Sequence, residues 1–145
     1  YINSARAKTE AFMNGFDEAI LLTQDGRVSE GSAENLFIVR RGELITPPAS
    51  ENIVEGITRA TLMQLAREEM GVNVVEREID RSELYIADEV LLCGTGAEVS
   101  AVIEIDRRTV GTGEPGEVTT KVQELYFAAC KGEDDRFASW LTPIP

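Results

Sequence analysis

Between Leu21 and Pro48 short apolar runs alternate with turn pairs, and few folds accept that pattern. Leu21-Leu22-Thr23, Asp25-Gly26 and Val28 read as a β-hairpin, because an Asp-Gly pair tolerates the positive φ of a tight turn. Leu36-Phe37-Ile38-Val39 is a wholly apolar strand, Arg41-Gly42 is a second turn, and another strand follows until Pro47-Pro48 removes backbone donors. The spacing predicts an antiparallel meander with strands near 19–23, 27–29, 36–40 and 43–46. In its middle stands Glu30-Gly31-Ser32-Ala33-Glu34-Asn35. Glu30 falls where a strand leaves its sheet, so its carboxylate is expected to face a cavity or water. Gly31, Ser32 and Ala33 let the backbone pass close to something bulky, such as a ligand.

Around this centre the chain alternates helices and strands. Residues 4–13 have helical composition and stop at Asn14-Gly15, a usual helix-ending pair. Residues 49–55 carry few regular signals and form a loop leading to Gly56, between a sheet and a helix, where ligands often bind. Leu62, Leu65, Ala66 and Met70 share one face of a helix over 57–70 that Gly71 closes. A strand over 72–79, a short helix over 82–88, and a buried strand over 90–93 running into Gly94-Thr95-Gly96 come next. Strands at 99–105 and 109–110 precede a loop at 112–116. Val118, Val122, Leu125, Tyr126 and Ala129 make the apolar stripe of a last helix, and an acidic tail after Gly132 ends with Trp140. No internal repeat or low-complexity linker divides the chain, so 1–145 is read as a single domain.

At 145 residues and 43% hydrophobic content the chain is long and apolar enough for a real core. A net charge of −12 without any histidine argues against nucleic acid and against anionic membrane surfaces, both of which reward a basic stripe. No apolar run approaches a bilayer span and no signal-type segment opens the chain, so the expected location is cytoplasmic. Cys93 and Cys130 have neither the number nor the spacing of a disulfide framework or a metal site. Both are expected to be reduced and mostly buried.

The run from Val28 to Phe37, with Gly56-Ile57-Thr58-Arg59 downstream, resembles the fold-type IV pyridoxal-phosphate enzymes, most closely the branched-chain amino-acid aminotransferases. The likeness continues through Ala87-Asp88-Glu89-Val90, Cys93-Gly94-Thr95-Gly96-Ala97-Glu98 and Trp140-Leu141. It implies an α/β fold with a distorted barrel-like mixed sheet flanked by helices. It implies pyridoxal 5′-phosphate as cofactor, and exchange of amino groups between leucine, isoleucine or valine and 2-oxoglutarate. By the same resemblance 1–145 is the C-terminal, cofactor-binding domain. An N-terminal domain and the Schiff-base lysine are then expected upstream of Tyr1, in a protein that is a homodimer or a higher homo-oligomer.

Residue by residue, the resemblance assigns Glu30 to the protonated pyridine nitrogen, since an adjacent negative charge favours the cationic ring. From position alone a solvated carboxylate at a strand end is the favoured reading, and the resemblance reverses it. Gly56, Ile57 and Thr58 open a helix whose first-turn N–H groups suit a phosphate. An ordinary helix cap reads the same way, and the resemblance gives them the cofactor phosphate. It also places Val54 against the ring face. Gly94-Thr95-Gly96 is a tight turn with exposed N–H groups. Through the resemblance Thr95 contacts the phosphate, while Thr95 and Gly96 receive the substrate carboxylate and Ala33 stands near the substrate. Tyr1 matches the tyrosine that meets the cofactor's phenolic oxygen. None of Lys8, Lys121 and Lys131 matches the Schiff-base position, and each is expected on a helix surface. Catalytic lysine and metal ligands are therefore both absent from the expected site. D-amino-acid transaminases and aminodeoxychorismate lyases share the glutamate and the phosphate grips, although Trp140-Leu141 and the Gly-Ser-Ala-Glu-Asn run favour the branched-chain group. A non-catalytic acidic domain or fragment is the reading from a different class.

Overall fold

The computed structural model describes residues 1–142. In chain order its elements are α1 (Ile2–Met13), β1 (Ile20–Leu22), β2 (Val28–Gly31), β3 (Asn35–Arg40), β4 (Glu43–Thr46), α2 (Ile57–Glu68), β5 (Asn73–Glu76), β6 (Glu89–Gly94), β7 (Glu98–Val102), β8 (Glu104–Ile105), β9 (Arg108–Thr109) and α3 (Glu117–Lys131). Short 3-10 turns occupy Ala49–Glu51, Arg81–Tyr85 and Asp135–Trp140.

A five-stranded mixed sheet, in the order β5-β4-β3-β6-β7, forms the centre. β3 runs antiparallel to β4 and to β6, and β6 antiparallel to β7, whereas β4 and β5 are parallel. A parallel neighbour needs a crossover, and α2 supplies it between β4 and β5. On one face Phe37, Val39, Leu44, Leu91 and Cys93 pack with Leu62, Leu65 and Ala66 of α2 and Val122 and Ala129 of α3. On the other, Leu36, Ile38, Ile45, Val90 and Leu92 meet Val28 of β2, Ile79, Leu84 and Ile105. Coverage on both faces is why Leu36–Val39 lacks polar alternation, each large side chain contributing roughly 1.5–3 kcal/mol by burial.

Two carboxylates of the Ala87-Asp88-Glu89-Val90 run have structural work. Glu89 on β6 caps α3, accepting from the N–H groups of Val118 and Thr119 at 3.0 and 2.8 Å and from the Thr119 hydroxyl at 2.6 Å. Gly116 precedes that cap because a Cβ there would stand 2.0 Å from the Glu89 carboxyl carbon. Asp88 accepts from the Arg41 N–H at 2.9 Å, which holds the β3–β4 turn.

Several expectations need correction. The meander is split: β1 and β2 form their own two-stranded ribbon, because the Gly31 N–H donates to the Glu34 carbonyl at 2.7 Å and the tight turn sends β3 into the other sheet. The mixed sheet flanked by helices is present, but its strands do not close into a barrel among the described residues, and β5 and β7 are its edges. The strand expected at 72–79 ends at Glu76, and 99–105 divides between β7 and β8. The helix expected at 82–88 is the 3-10 turn Arg81–Tyr85, which a capping box of Asp80 and Glu83 starts. The tail folds back, burying Phe137 against Trp140 with ring centroids 4.7 Å apart. Cys93 is buried, and burial pushes its thiol up to about 12, but Cys130 is exposed on the outer side of α3 beside the inward Ala129. Among the described residues no helix is long and apolar enough to cross a membrane.

Candidate cofactor site

Glu30 lies within β2 rather than at its exit, and it is half-buried. Its Oε2 accepts from the Val54 N–H at 2.9 Å and from the Asn35 amide at 3.0 Å, while Oε1 has no hydrogen-bond partner among the described residues. Burial raises the Glu30 pKa above its ordinary value and the Val54 N–H opposes the rise. A carboxylate so placed has one oxygen fixed by protein and one offered to a cationic donor. Asn35 also donates to the Val54 carbonyl at 2.7 Å. Both backbone groups of Val54 are thereby occupied, and its side chain is left 67% exposed, a bare apolar face beside the carboxylate.

Three residues beyond Val54, α2 begins at the surface. The Gly56 N–H is taken by the Val54 carbonyl at 2.9 Å and the Ala60 N–H by the Gly56 carbonyl at 3.0 Å, so the free donors of the first turn are those of Ile57, Thr58 and Arg59. No acidic residue sits in that turn, which leaves the positive end of the helix uncompensated. Arg59 anchors the turn to the sheet: it is only 6% exposed and donates to the Thr46 hydroxyl at 3.3 Å, the Pro47 carbonyl at 3.0 Å and Glu76 at 2.8 Å. Tyr126 of α3 stands beside Thr58; burial raises its phenol and the Thr58 hydroxyl opposes that.

The third corner is the β6–β7 turn. Asn35 pairs with Cys93, and a Cβ on Gly94 would meet the Ala33 carbonyl at 3.3 Å, so Ala33 lies against the strand that leads to Thr95 and Gly96. Thr95 and Gly96 are exposed, as a turn that presents N–H groups to a ligand requires. The charge of Glu98, where β7 begins, also raises the Tyr126 phenol.

Glu30, Val54, Gly56, Ile57 and Thr58 are thus assembled by hydrogen bonds and chain continuity, with Ala33, Thr95 and Gly96 as a neighbouring corner. Tyr1 precedes α1 and is 95% exposed, with no hydrogen bond to these residues among the described ones. Lys8 pairs with Glu18 at 2.7 Å, Lys121 with Glu124 at 3.2 Å, and Lys131 lies over the Phe127 ring, all on helix surfaces. Among the described residues no cluster of metal-ligating side chains exists. A cavity of about 760 Å³ lies elsewhere, between α1 and β7, lined by Ala7, Ala11, Phe16, Ser100 and Ile103. None of Glu30, Val54, Thr58 and Thr95 lines it, so volume does not select the site. Asn35, Arg59 and Tyr126 are the site-forming residues that the sequence pattern did not single out. A polar residue opening a wholly apolar strand was the available signal for Asn35, since a buried amide must find partners.

A half-buried carboxylate with a free oxygen, an apolar face and an unpaired helix N-terminus together define an anion-and-cation grip of the kind a phosphorylated pyridine aldehyde fits. The model of the amino-transferase class IV family matches residues 1–105, and the chain belongs to that family. It is 56% identical over 144 residues to the probable branched-chain-amino-acid aminotransferase of Aquifex aeolicus, covering 99% of this chain and 46% of that protein. With the branched-chain-amino-acid aminotransferase of Pseudomonas aeruginosa identity is 45%, over the same shares. The crystal structure of the branched-chain amino acid aminotransferase from Thermobaculum terrenum in its PLP form superposes with a TM-score of 0.97 at 46% identity, over 100% of this chain and 47% of that one. The branched-chain aminotransferase of the thermophilic archaeon Thermoproteus uzoniensis, solved with norvaline, superposes at 0.94 with 46% identity, over 99% and 47%. The chain spans about half the length of the relatives it matches.

Proposed function

We propose that these residues form the cofactor-binding domain of a pyridoxal-5′-phosphate-dependent aminotransferase that passes amino groups between leucine, isoleucine or valine and 2-oxoglutarate. The observation that carries this reading is Glu30: a half-buried carboxylate with Oε1 free, hydrogen-bonded to Val54 three residues ahead of a helix start whose N–H groups are unpaired. Pyridoxal phosphate supplies a ring that, when protonated on nitrogen, draws an electron pair away from the substrate Cα. Glu30 would accept the ring N–H through Oε1 and keep that proton in place. The Ile57 and Thr58 N–H groups and the Thr58 and Thr95 hydroxyls would hold the phosphate, with Gly56 allowing the close approach. Val54 would cover one ring face and shed water from it. Ala33, Thr95 and Gly96 would orient the substrate, Thr95 and Gly96 offering N–H groups to its carboxylate. Tyr1 would reach the phenolic oxygen.

None of Lys8, Lys121 and Lys131 is positioned to move the Cα proton, so that amine comes from outside these residues. We assign it, with the substrate side chain's binding wall, to an N-terminal domain of the same protein, in a homodimer or higher assembly located in the cytoplasm. The relatives extend well beyond this chain, which covers 46% of each, and that supports the further domain. The test is equilibrium titration of the full-length encoded protein with pyridoxal phosphate, followed by amino-transfer assays. Tight binding with activity on L-leucine, L-isoleucine and L-valine is expected. Activity confined to D-alanine, or pyruvate release from aminodeoxychorismate, would replace the branched-chain reading with one of its superfamily neighbours.

A further inference from the structure

We propose that Asn35 is the positioning residue of this site: a single amide that holds the Glu30 carboxylate with Oε1 outward and ties it to both Val54 and the start of α2. The proposal rests on the cofactor reading above. Asn35 is the first residue of β3 and 6% exposed, and its pairing with Cys93 fixes its backbone to the central sheet. Its amide nitrogen carries two N–H groups and both are used, one on Glu30 Oε2 at 3.0 Å and one on the Val54 carbonyl at 2.7 Å. The Val54 N–H in turn donates to the same Oε2 at 2.9 Å, closing a ring of three hydrogen bonds between β2, β3 and the loop before α2. The amide oxygen lies against Gly56, where a Cβ would come within 2.3 Å of it. One side chain therefore touches the three segments that would meet the ring nitrogen, the ring face and the phosphate.

That arrangement has two physical consequences. Burial raises the Glu30 pKa and the Val54 N–H opposes it; the Asn35 N–H reaches the same oxygen at 3.0 Å, and an N–H donated to a carboxylate favours its ionised form. Because both donors point at Oε2, rotation of the carboxylate is blocked and Oε1 keeps a single direction. An aspartate at 35 reverses the first effect without changing shape, placing an acceptor where the donor stood. An alanine removes both. Gly56→Ala reaches the same amide from the far side, by collision with Oδ1, without touching Glu30.

The experiment measures Glu30 ionisation and cofactor affinity separately, in the full-length encoded protein. Carboxyl 13C NMR of the cofactor-free protein, with the Glu30 signal assigned by its loss in Glu30→Gln, gives the titration midpoint; fluorescence titration with pyridoxal phosphate gives the dissociation constant. Asn35→Asp and Asn35→Ala should each raise the midpoint by about one pH unit or more and weaken the cofactor about tenfold or more, with circular dichroism unchanged. Gly56→Ala should move the midpoint the same way, and in the Asn35→Ala background it should move it little further, since the atom it strikes is gone. A midpoint and an affinity at wild-type values in both Asn35 variants overturn the proposal while leaving the cofactor reading intact. Failure of the wild-type protein to bind pyridoxal phosphate overturns both. Should the Asn35 variants not fold, an unmoved Glu30 midpoint in Gly56→Ala is the overturning result.

Discussion

Replacing Glu30 by glutamine separates the chemistry assigned to the site from the folding of the chain. The glutamine amide oxygen accepts from Val54 and Asn35 as Oε2 does at 2.9 and 3.0 Å, so both hydrogen bonds survive. Only the outward atom changes, from an acceptor that is charged to an N–H donor. A ring nitrogen facing it has to give up its own proton. A hydrogen bond to a charged group is worth roughly 1.5–3 kcal/mol, and each 1.4 kcal/mol is about tenfold, so kcat should fall by roughly ten- to 150-fold. Cofactor stays bound, because the phosphate donors on α2 are untouched. The stability of the cofactor-free protein moves the other way. The folded Glu30 pKa is raised above 4.5, so the stability this group contributes is complete below pH 4.5 and is lost as pH climbs through the raised value. Glutamine has no proton to lose, and Glu30→Gln should therefore melt at or above the wild-type temperature at pH 7, with the gap closing below pH 4.5. Single-turnover kinetics with leucine and thermal melts on both sides of pH 4.5 check both halves. Wild-type turnover would remove Glu30 from the ring nitrogen, and a lowered melting temperature at pH 7 would refute the hydrogen-bond geometry.

Thr58→Val and Thr95→Val should each weaken pyridoxal phosphate about tenfold or more while the fold persists, since each removes one hydroxyl from an anion; equilibrium titration decides, and unchanged affinity in both places the phosphate elsewhere. Borohydride treatment of the cofactor-loaded full-length protein, followed by peptide mass mapping, should leave Lys8, Lys121 and Lys131 unlabelled, because each is committed to a surface contact. A stoichiometric label on any of them would make that residue the catalytic amine. Glu83, which the Arg77 guanidinium holds down to about 2 against burial, contributes stability above pH 4.5 that disappears as pH falls towards 2. After discounting for the partly exposed Arg77 and Arg40, Glu83→Gln should cost about 1–2 kcal/mol at pH 7 in urea unfolding and almost nothing near pH 2.

Local chemistry was legible in the sequence wherever a residue's neighbours decide its state. The stripe Leu62, Leu65 and Ala66 does face the sheet, Leu36–Val39 is a fully buried strand, and Asn14 and Gly132 end helices as their types suggest. Contacts between distant segments were not legible. Nothing around Asn35 in the sequence announces that Val54 and Gly56 will lie against it, because that juxtaposition depends on β3 pairing with β6 and on the loop from β4 returning beside β2. Glu89 as the cap of α3 is hidden for the same reason, being contributed across 29 positions of chain. Cys130 was misplaced because composition favours burial of cysteine, while the phase of α3 turns Ala129 inward and leaves Cys130 outside. The parallel pairing of β4 and β5 follows from the crossover alone, which no turn signal marks.

That crossover also orders the assembly of the site in time. The ribbon that carries Glu30 closes over short stretches: β1 meets β2 across the Asp25-Gly26 turn, and Gly31 bonds to Glu34. β5 by contrast pairs Asn73 with Glu43, so all of α2 must be laid down and docked before the parallel edge forms. Closing the longer loop costs more chain entropy before any pairing offsets it. The β1–β2 ribbon therefore forms ahead of the parallel edge, with Arg59 reaching its partner Glu76 on β5 only as the crossover closes. A chain arrested between the two stages keeps the β1–β2 ribbon while Arg59 still lacks Glu76, so the first turn of α2 is tied to the edge strand only when the crossover is complete.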